Sequence, residues 1–370
     1  MGKIMIKFFN LQEQYQDCKT EIDRTVQDVF AMGQFYANHY VDDLQADISR
    51  RYGGANTQLC NNGTSALHAA LIALNIRAGS NILMPTLTYC ATAQAAIAAG
   101  HSPVFVDIDQ HWLMCPKHLN KQYERFRPTI GAVIAVDLYG QGMELDWLTD
   151  WCHERKLPLI IDAAQSFGLS SNAYDQSRAD AVTLSFNPLK NLGGSGHGGA
   201  VLSKIIDPER LRAACHEGKI AYGPRGQVNY VGLNHRIDAV QAAVILSKVP
   251  YWEKMMPRKK QIAETYYAAF NRMRDKLDMH VRTDWCDCEY YVFTIAPKDP
   301  AKVKSALTAA GIEHSSHYDT PLHMEKAFSR YSQPLKNAES LAGRVISLPC
   351  HWHLSDEEVA TVIDTVQSAL

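Results

Sequence analysis

The sequence predicts an α/β fold, with a large domain built on a mainly parallel central sheet and a smaller C-terminal α+β domain. Three observations lead to this prediction. The length of 370 residues suits two domains of unequal size, at roughly 100–200 residues per domain. Apolar runs of strand length alternate with helical stretches from about residue 60 to 205, and the alternation weakens after about residue 250. We therefore expect a large domain over residues 1–250 and a small one over 251–370.

The strands of the large domain are predicted from six short runs rich in Val, Ile or Leu. In chain order they are NILMPTLTY, SPVFVDID, GAVIAVDLYG, LPLIIDAAQ, DAVTLSF and GGAVLSK. Continuous apolar runs are typical of strands that are buried on both faces of a parallel sheet. A helix precedes them in TSALHAALIALNI, with one apolar face formed by Ala66, Leu67, Ala70, Leu71 and Leu74. In such sheets, functional side chains gather at the carboxyl ends of the strands.

The smaller domain is predicted from a different mixture of elements. Pro250 and Pro257 flank YWEKMM, and KKQIAETYYAAFNRM follows as a long helix. EYYVFTIAP and VISLP are strand candidates, and VKSALTAAGI is typical of a helix that ends at Gly311. SDEEVATVIDTVQSAL predicts a last helix with Ser355 as its N-cap.

Composition favours a globular enzyme and argues against several other classes. Apolar residues make up 46% and charged residues 21%, close to the globular average, which argues against disorder. The net charge of −2 gives no overall signal for nucleic acid. No apolar run approaches the ~20 residues needed to span a bilayer, and MGKIMIKFFNLQEQY lacks a signal-peptide core. We therefore expect a cytoplasmic protein that acts without nucleic acid or membrane.

The nine cysteines agree with a reducing compartment. They are odd in number and scattered along the chain, which does not indicate a disulfide framework. Cys286 and Cys288 form a C-x-C pair with no second pair nearby, so we expect no metal site.

The segment SFNPLKNLGGSGHGG, residues 185–199, carries the most unusual composition. Residues 194–199 match G-x-G-x-x-G, but a predicted strand follows where a dinucleotide site requires a helix. A flexible connection between two strands is the simpler interpretation. Lys190, just after a predicted strand end, could be a solvated surface charge. That is the usual fate of a lysine, and the alternative is a Schiff-base lysine in a dry pocket, beside a planar cofactor that the glycines allow to approach closely.

Two further segments could complement such a cofactor. Gly63, Thr64 and Ser65 open a predicted helix, where free N–H groups and hydroxyls can bind phosphate. Ordinary N-capping by Thr64 or Ser65 would explain the same residues. Asp162 ends the apolar run LPLII, and a buried carboxylate there is costly unless it is paired. Its partner could be a protonated ring nitrogen, a salt bridge or a helix N-terminus.

These segments occur together and in a characteristic order. In this respect the sequence resembles the DegT/StrS-type family of sugar aminotransferases, which are fold-type-I enzymes that use pyridoxal 5′-phosphate. The likeness extends from FFNLQEQY at residue 8 to SLPCH at 351. Each motif is weak alone, but the set is specific. It consists of NNGTSALHAAL, PTLTYCATAQAA, PVFVDID, VDLYGQ, DAAQSFG, SFNPLKNLGG, GLNHRIDAVQAA and HYDTPLH.

The resemblance implies roles for the matching residues. Lys190 would bind the cofactor covalently and later move a proton as general base and acid. Asp162 would pair with the pyridine nitrogen and keep the ring an electron sink. Gln165 would lie near the ring hydroxyl, and Tyr89 would stack on the ring.

The resemblance also implies how the cofactor phosphate is held and how the chain associates. The phosphate would be bound by residues at the start of the helix, by one strand-end hydroxyl and by one residue of a neighbouring subunit. These residues are Gly63, Thr64 and Ser65, then Ser185, then Asn234. A homodimer with shared active sites is therefore expected.

The implied reaction moves an amino group from L-glutamate to the keto group of a UDP- or dTDP-linked sugar, with ping-pong kinetics. Such an enzyme would serve amino-sugar biosynthesis, for example of lipopolysaccharide or O-antigen. SLPCHWHLS and FFNLQEQY are most similar to the subgroup that acts on 3-keto sugars, including UDP-linked N-acetylated uronic acids. A 4-keto sugar and a cofactor-binding regulatory protein without turnover are the alternatives.

Several positions near these motifs leave alternatives open. His317, Tyr318 and His323 match a family segment near the sugar nucleotide, although packed or solvent-facing histidines would look the same. His197 stands where the family commonly has an acidic residue. Asn38 replaces a common glycine, and Asp137 a common histidine. Lysine at 190 argues against the dehydratase branch, which has histidine there.

Overall fold

The computed structural model describes residues 5–169, 175–220 and 227–370. In these residues the chain forms one seven-stranded sheet and one three-stranded sheet, with helices packed against both. The predicted α/β class is confirmed. No helix in the described ranges has both the length and the apolar character needed to cross a membrane.

The large sheet has the strand order β1-β7-β6-β5-β4-β2-β3. Its strands are β1 (Asn56–Cys60), β2 (Asn81–Pro85), β3 (Ser102–Val106), β4 (Ile130–Val136), β5 (Leu159–Asp162), β6 (Ala181–Ser185) and β7 (Gly199–Ser203). All six predicted runs form strands. The pairs from β3 through β6 are parallel, whereas β7 is antiparallel to both of its neighbours. β1 was not predicted, because NTQLC has only two apolar residues, both at its end.

Both faces of the central strands are buried, as their continuous apolar composition predicts. On β5, Leu159 and Ile161 belong to one hydrophobic core and Ile160 to the other. On β4, Val133 and Ile134 divide in the same way. The sheet is therefore a central layer between two cores, and its polar residues are displaced to the strand ends.

Eight helices of the described chain precede or flank this sheet. They are α1 (Leu11–Met32), α2 (His39–Arg51), α3 (Gly63–Ala73), α4 (Ala91–Ala98), α5 (Pro116–Phe126), α6 (Leu145–Glu154), α7 (Pro208–Cys215) and α8 (Ala239–Phe270). The prediction of one apolar face on α3 is wrong, because every residue from Ser65 to Leu71 is buried. α3 packs against β6, β7, α4 and α7, and its small alanines allow this close packing on all sides.

The C-terminal part contains the antiparallel sheet β10-β9-β8, with β8 (Leu277–Asp278), β9 (Phe293–Pro297) and β10 (Ile346–Leu348). Its helices are α9 (Pro300–Ala310), α10 (Lys336–Glu339) and α11 (Asp356–Ala369). Gly311 ends α9 in the left-handed region, at φ +76°, as predicted. Ser355 caps α11 and forms a capping box with Glu358, which confirms the predicted N-cap.

Helix α8 connects the two parts of the chain. The sequence predicts a helix that begins after Pro257, but α8 begins at Ala239 and continues through Pro250 and Pro257. Its first part packs on α1 and α2, and its last part packs in the C-terminal core, so tertiary contacts outweigh the two lost backbone hydrogen bonds. The predicted domain division at residue 250 lies inside this helix and stays a prediction. Ile6 also packs in the C-terminal core.

Candidate active site

A cavity of about 580 Å³ opens at the carboxyl ends of β4, β5 and β6, beside the first turn of α3. Most of the site residues predicted from the sequence line it. They are Gly63, Thr64, Ser65, Tyr89, Asp162, Gln165, Ser185, Lys190, His317 and Tyr318. Residues that are far apart in the sequence thus meet where an α/β sheet commonly binds its ligands.

The first turn of α3 forms one end of the cavity. Asn62 is the N-cap, and its side-chain oxygen accepts a hydrogen bond from the Ser65 N–H at 2.8 Å. The interpretation of Thr64 or Ser65 as N-cap is therefore wrong, because Asn62 already fills that position. A Cβ on Gly63 would lie 2.8 Å from the Ser185 Cβ, so only glycine lets β6 end this close to the helix. The helix N–H groups and the hydroxyls of neighbouring residues can together bind a phosphate here.

Asp162 ends β5 at the base of the cavity and is 6% exposed. Its carboxylate accepts hydrogen bonds from the Thr92 hydroxyl at 2.8 Å and from the Ala164 N–H at 3.3 Å. Neither donor is charged, and a turn rather than a helix follows the strand. Burial raises the pKa of this carboxyl, while the two hydrogen bonds and the Lys190 charge lower it. The site thus offers a buried carboxylate to a positively charged ligand group.

Lys190 follows β6, and its amine lies 3.9 Å from the centre of the Tyr291 ring. Lys190 is half-buried in the cavity wall. Burial lowers the pKa of Lys190 to about 8, with a further decrease from the Lys259 charge and an opposing increase from Asp162. An amine with that pKa is uncharged in about a tenth of the molecules at pH 7. Lys190 is therefore not a fully solvated surface charge, and its role as a Schiff-base lysine stays a prediction.

Gln165 is held in one orientation by two hydrogen bonds. Its side-chain oxygen accepts from the Tyr139 N–H at 2.7 Å, and its amide nitrogen donates to the Tyr318 hydroxyl at 2.9 Å. Because both ends are engaged, the amide cannot rotate without losing a bond. The amide therefore lines the cavity in a fixed orientation.

Aromatic side chains form the opposite side of the cavity. Tyr89 is 56% exposed and lines the opening, with its ring centre 5.9 Å from that of Tyr318. His317 stacks on Phe8 at 5.7 Å, and its Nδ1 lies 3.2 Å from the Ser347 hydroxyl. Burial, with a smaller contribution from the Lys190 charge, lowers the pKa of His317 to about 4. This imidazole is neutral at physiological pH.

Two predicted site residues lie outside this cavity lining. His323 is 2% exposed, with its Nδ1 2.7 Å from the Thr86 hydroxyl and its Nε2 3.2 Å from the Glu339 carboxylate. This is the packed position that the sequence left open. Asn234 is exposed, and its side-chain oxygen accepts a hydrogen bond from Arg236 at 3.2 Å. Its role in a neighbouring subunit stays a prediction.

The three departures from the family pattern have different surroundings. His197 lines the cavity, and its Nδ1 lies 3.4 Å from the Asn187 side-chain nitrogen. Asp137 is fully buried and accepts a hydrogen bond from the Ser166 hydroxyl at 2.7 Å. Asn38 is the N-cap of α2. Of the three, only His197 is placed to contact a ligand in the cavity.

Sequence reasoning missed Tyr291 and Thr92. Tyr291 contacts the Lys190 amine from a position 101 residues further along the chain, and Thr92 donates to Asp162 from the first turn of α4. Tyr291 lies in the strand candidate EYYVFTIAP, which carries no local signal of a site. Thr92 lies in the motif PTLTYCATAQAA, which indicated that this segment is near the site but did not predict the hydrogen bond to Asp162.

The donor set fits pyridoxal 5′-phosphate. A phosphate-binding helix start, a buried carboxylate and a lysine with a lowered pKa surround one cavity, and an exposed aromatic ring lies at its opening. Gly63 leaves space that a Cβ would fill. The described residues contain no group of three or more His, Cys, Asp or Glu side chains that could bind a metal ion.

Curated relatives match the chain over nearly its whole length. The UDP-2-acetamido-2-deoxy-3-oxo-D-glucuronate aminotransferase of Pseudomonas aeruginosa is 29% identical, over 97% of this chain and 98% of the relative. The dTDP-3-amino-3,4,6-trideoxy-alpha-D-glucose transaminase of Streptomyces venezuelae is also 29% identical, over 98% and 95%. The 3-oxo-glucose-6-phosphate:glutamate aminotransferase of Bacillus subtilis is 26% identical, over 93% and 79%.

Solved structures share the fold. A DegT DnrJ EryC1 StrS aminotransferase from Brucella abortus superposes with a TM-score of 0.90 at 28% identity, covering 98% of this chain and 99% of that one. DesV of S. venezuelae, solved in complex with a ketimine intermediate, gives a TM-score of 0.91 at 28% identity, over 99% and 98%. The model of the DegT/DnrJ/EryC1/StrS aminotransferase family matches residues 16–367. The chain therefore belongs to this family of pyridoxal-phosphate-dependent sugar aminotransferases.

Proposed function

We propose that this enzyme transfers an amino group from L-glutamate to C3 of a 3-keto sugar linked to UDP or dTDP. The observation that carries the proposal is the meeting of Lys190, Asp162 and the first turn of α3 around one cavity. The names of the P. aeruginosa, S. venezuelae and B. subtilis relatives support position 3, and the last of them supports glutamate as donor.

The proposed binding roles come from the family resemblance, and the placement of the residues around one cavity supports them. The α3 N–H groups with the hydroxyls of Thr64, Ser65 and Ser185 would hold the phosphate. Asp162 would pair with the protonated pyridine nitrogen, which supplies the positive partner that its neutral donors do not. Gln165 would contact the ring hydroxyl, and Tyr89 would cover one ring face. When bound, pyridoxal phosphate supplies an electron sink for a carbanion at the substrate carbon.

Lys190 would move the protons. In the first half-reaction its amine accepts a proton from Cα of the donor, and in the second it delivers one to the sugar carbon that receives nitrogen. A pKa of about 8 suits both directions near neutral pH, because the amine is readily protonated and readily freed. His317 and Tyr318 would face the sugar, and His323 would support that side from its packed position.

The substrate assignment has a direct test. The purified enzyme is incubated with glutamate and with separate 3-keto and 4-keto sugars carrying UDP or dTDP, and the products are identified by mass spectrometry and NMR. We expect 2-oxoglutarate and a 3-amino sugar. Conversion of 4-keto sugars alone would contradict the C3 assignment. A cofactor spectrum unchanged by glutamate, but changed by another amino acid, would contradict the donor.

A homodimer with shared sites is part of this proposal. Exposed apolar side chains lie on both sides of Asn234 and Arg236: Val231 is 81% exposed, Leu233 50% and Tyr36 64%. Arg236 connects the segment around Asn234 with the segment around Tyr36, because its guanidinium lies 5.4 Å from the Tyr36 ring centre. Exposed apolar side chains in such number are typical of a protein interface. A second copy covering them would bring its own Asn234 near this chain's cavity.

Subunit mixing tests the shared site. Asn234→Ala and Lys190→Ala chains are each expected to have little activity, but a mixed dimer contains one site with both residues intact. We expect activity to return when the two variants are exchanged into mixed dimers. Mixing that restores nothing, while light scattering shows dimers, would contradict a shared site.

We also propose a cytoplasmic location. All nine cysteines are free, and Cys60 and Cys215 remain unbonded although their sulfur atoms lie 3.5 Å apart. Free thiols this close together suit a reducing compartment. A role in lipopolysaccharide or O-antigen synthesis stays a prediction from the resemblance.

A further inference from the structure

A second buried lysine, Lys259 of α8, lies behind the first and is 4% exposed. Its amine donates to the Asn191 side-chain oxygen at 2.6 Å and to the Tyr291 backbone oxygen at 3.1 Å. The Asn191 amide nitrogen donates to the Glu289 backbone oxygen at 2.7 Å, which fixes the direction of the amide. The Lys259 amine therefore donates to two oxygen atoms whose positions are fixed by their own surroundings.

Each of these acceptors belongs to a residue next to the Lys190 amine. Asn191 follows Lys190 in the chain, and the Tyr291 ring lies against the Lys190 amine at 3.9 Å. Lys190 and Lys259 also line one small cavity of about 30 Å³, room for no more than a few water molecules. The two amines are therefore linked through hydrogen-bonded neighbours and face one small cavity.

We propose that Lys259 is a positioning residue for Lys190: it fixes the aromatic ring against which the free Lys190 amine rests, and its positive charge favours the uncharged, proton-accepting form of that amine. A buried lysine is costly unless it has a function or a partner, and Lys259 has no carboxylate among its hydrogen-bond acceptors. The proposal rests on the proposed role of Lys190 as the proton carrier.

The charges around the two lysines determine the direction of the effect. Lys190 faces Asp162, which raises its pKa, and Lys259, which lowers it. His317, which faces Lys190, is neutral. The pKa of Lys259 is lowered by burial, and nearby acidic groups partly offset this decrease; they are Cys350, Glu289 and Cys288. His351, which faces Lys259, has its pKa lowered to about 4 and adds no charge. Loss of the Lys259 charge should therefore raise the pKa of Lys190.

The test measures the pKa of Lys190 without turnover. The full chain is loaded with pyridoxamine 5′-phosphate, which leaves the Lys190 amine free, and is treated briefly with cyanate over a range of pH. Mass spectrometry gives the carbamoylation rate of Lys190 relative to the exposed Lys254. We expect a midpoint near pH 8 in the parent chain. In Lys259→Met it should move up by about one unit, which lowers the rate about tenfold at pH 7.

Lys248 supplies the matched control. It is another buried lysine of α8, 8% exposed, and its amine donates to the Gly193 backbone oxygen at 2.9 Å in the same glycine-rich segment. Lys248→Met should leave the Lys190 midpoint unchanged. An equal shift in both variants would mean that the loop has moved, and would overturn the electrostatic part of the proposal.

Two further variants keep the test decisive. Lys259→Arg retains the charge and should restore the midpoint. Lys259→Gln retains a donor without the charge, should shift like Lys259→Met, and replaces that variant if it does not fold. An unshifted midpoint in both neutral variants would overturn the proposal. This result is independent of the substrate: if the parent chain turns over no sugar, the proposed function fails while the midpoint shift remains measurable.

Discussion

The active-site cavity has two sides that originate in different ways. One side, the strand-end side, consists of Asp162 and Ser185 at the ends of β5 and β6, Lys190 in the segment after β6, and the start of helix α3. The other, the aromatic side, consists of Tyr291, His317 and Tyr318, which come from connections in the C-terminal part. The strand-end side contains the charged side chains, and the aromatic side contains rings that limit the shape of the cavity. We therefore expect changes to the strand-end side to affect the chemistry, and changes to His317 or Tyr318 to affect mainly sugar binding. Tyr291 contacts the Lys190 amine and belongs to both functions.

The largest effect is expected at Lys190. Lys190→Ala removes the amine that moves the proton, so the glutamate half-reaction should slow by roughly 10²–10⁴-fold or more, as measured by stopped-flow absorbance of the cofactor. Lys254→Ala, at an exposed position on α8, is the control and should react normally. Near-normal rates in Lys190→Ala would contradict the proposed role of the strand-end side in the chemistry.

Asp162→Asn should be next in size. The amide has nearly the same shape but cannot hold a positively charged ring nitrogen, so we expect a loss of roughly 10²–10³-fold in the half-reaction. Thr92→Val, which removes one neutral hydrogen bond to the same carboxylate, should cost only about tenfold. Equal losses in the two variants would indicate that only the packing around β5 matters.

The pH dependence of the half-reaction follows from Lys190. Because the free amine accepts the proton, the rate should rise with pH and level off above an apparent pKa of about 8. His317 has a pKa of about 4 and should add no step between pH 6 and 9. A rate that falls through pH 8 would mean that the charged lysine is the reactive form.

Tyr318→Phe tests the aromatic side. It removes the hydroxyl that we propose faces the sugar, which should cost about 1 kcal/mol, or about fivefold, mainly in KM for the sugar. Gln165 loses one bond to this hydroxyl but keeps the bond from the Tyr139 N–H. The glutamate half-reaction should change little. A loss of the half-reaction as large as that of Asp162→Asn would erase the distinction between the two sides.

The smallest catalytic effect is expected at His323. His323→Phe removes the imidazole partner of the buried Thr86 hydroxyl, which keeps only the bond from the backbone N–H of residue 323, so the free energy of unfolding should fall by about 1–3 kcal/mol in denaturant titrations. The rate constant for turnover should stay within about twofold. A change in KM for the sugar without loss of stability would instead indicate that His323 contacts the substrate.

The strand-end side was predictable from the sequence because its signals are local. Asp162 and Ser185 end apolar runs, and the carboxyl ends of parallel strands meet at one edge of a sheet whatever the loops do. The aromatic side was only partly predictable, since Tyr291 reaches Lys190 through long-range packing. The same reason explains α8, which continues through Pro250 because contacts with distant helices outweigh the local proline signal.

The central claim is that Lys190 is the residue that binds pyridoxal phosphate covalently. The measurement that tests it most directly is reduction of the holoenzyme with borohydride, followed by peptide mapping. Reduction fixes the cofactor to the lysine that holds it, and the modified peptide identifies that residue by mass. We predict a single modified peptide, carrying the cofactor on Lys190. Cofactor found on Lys259, on Lys248 or on no lysine would contradict the account.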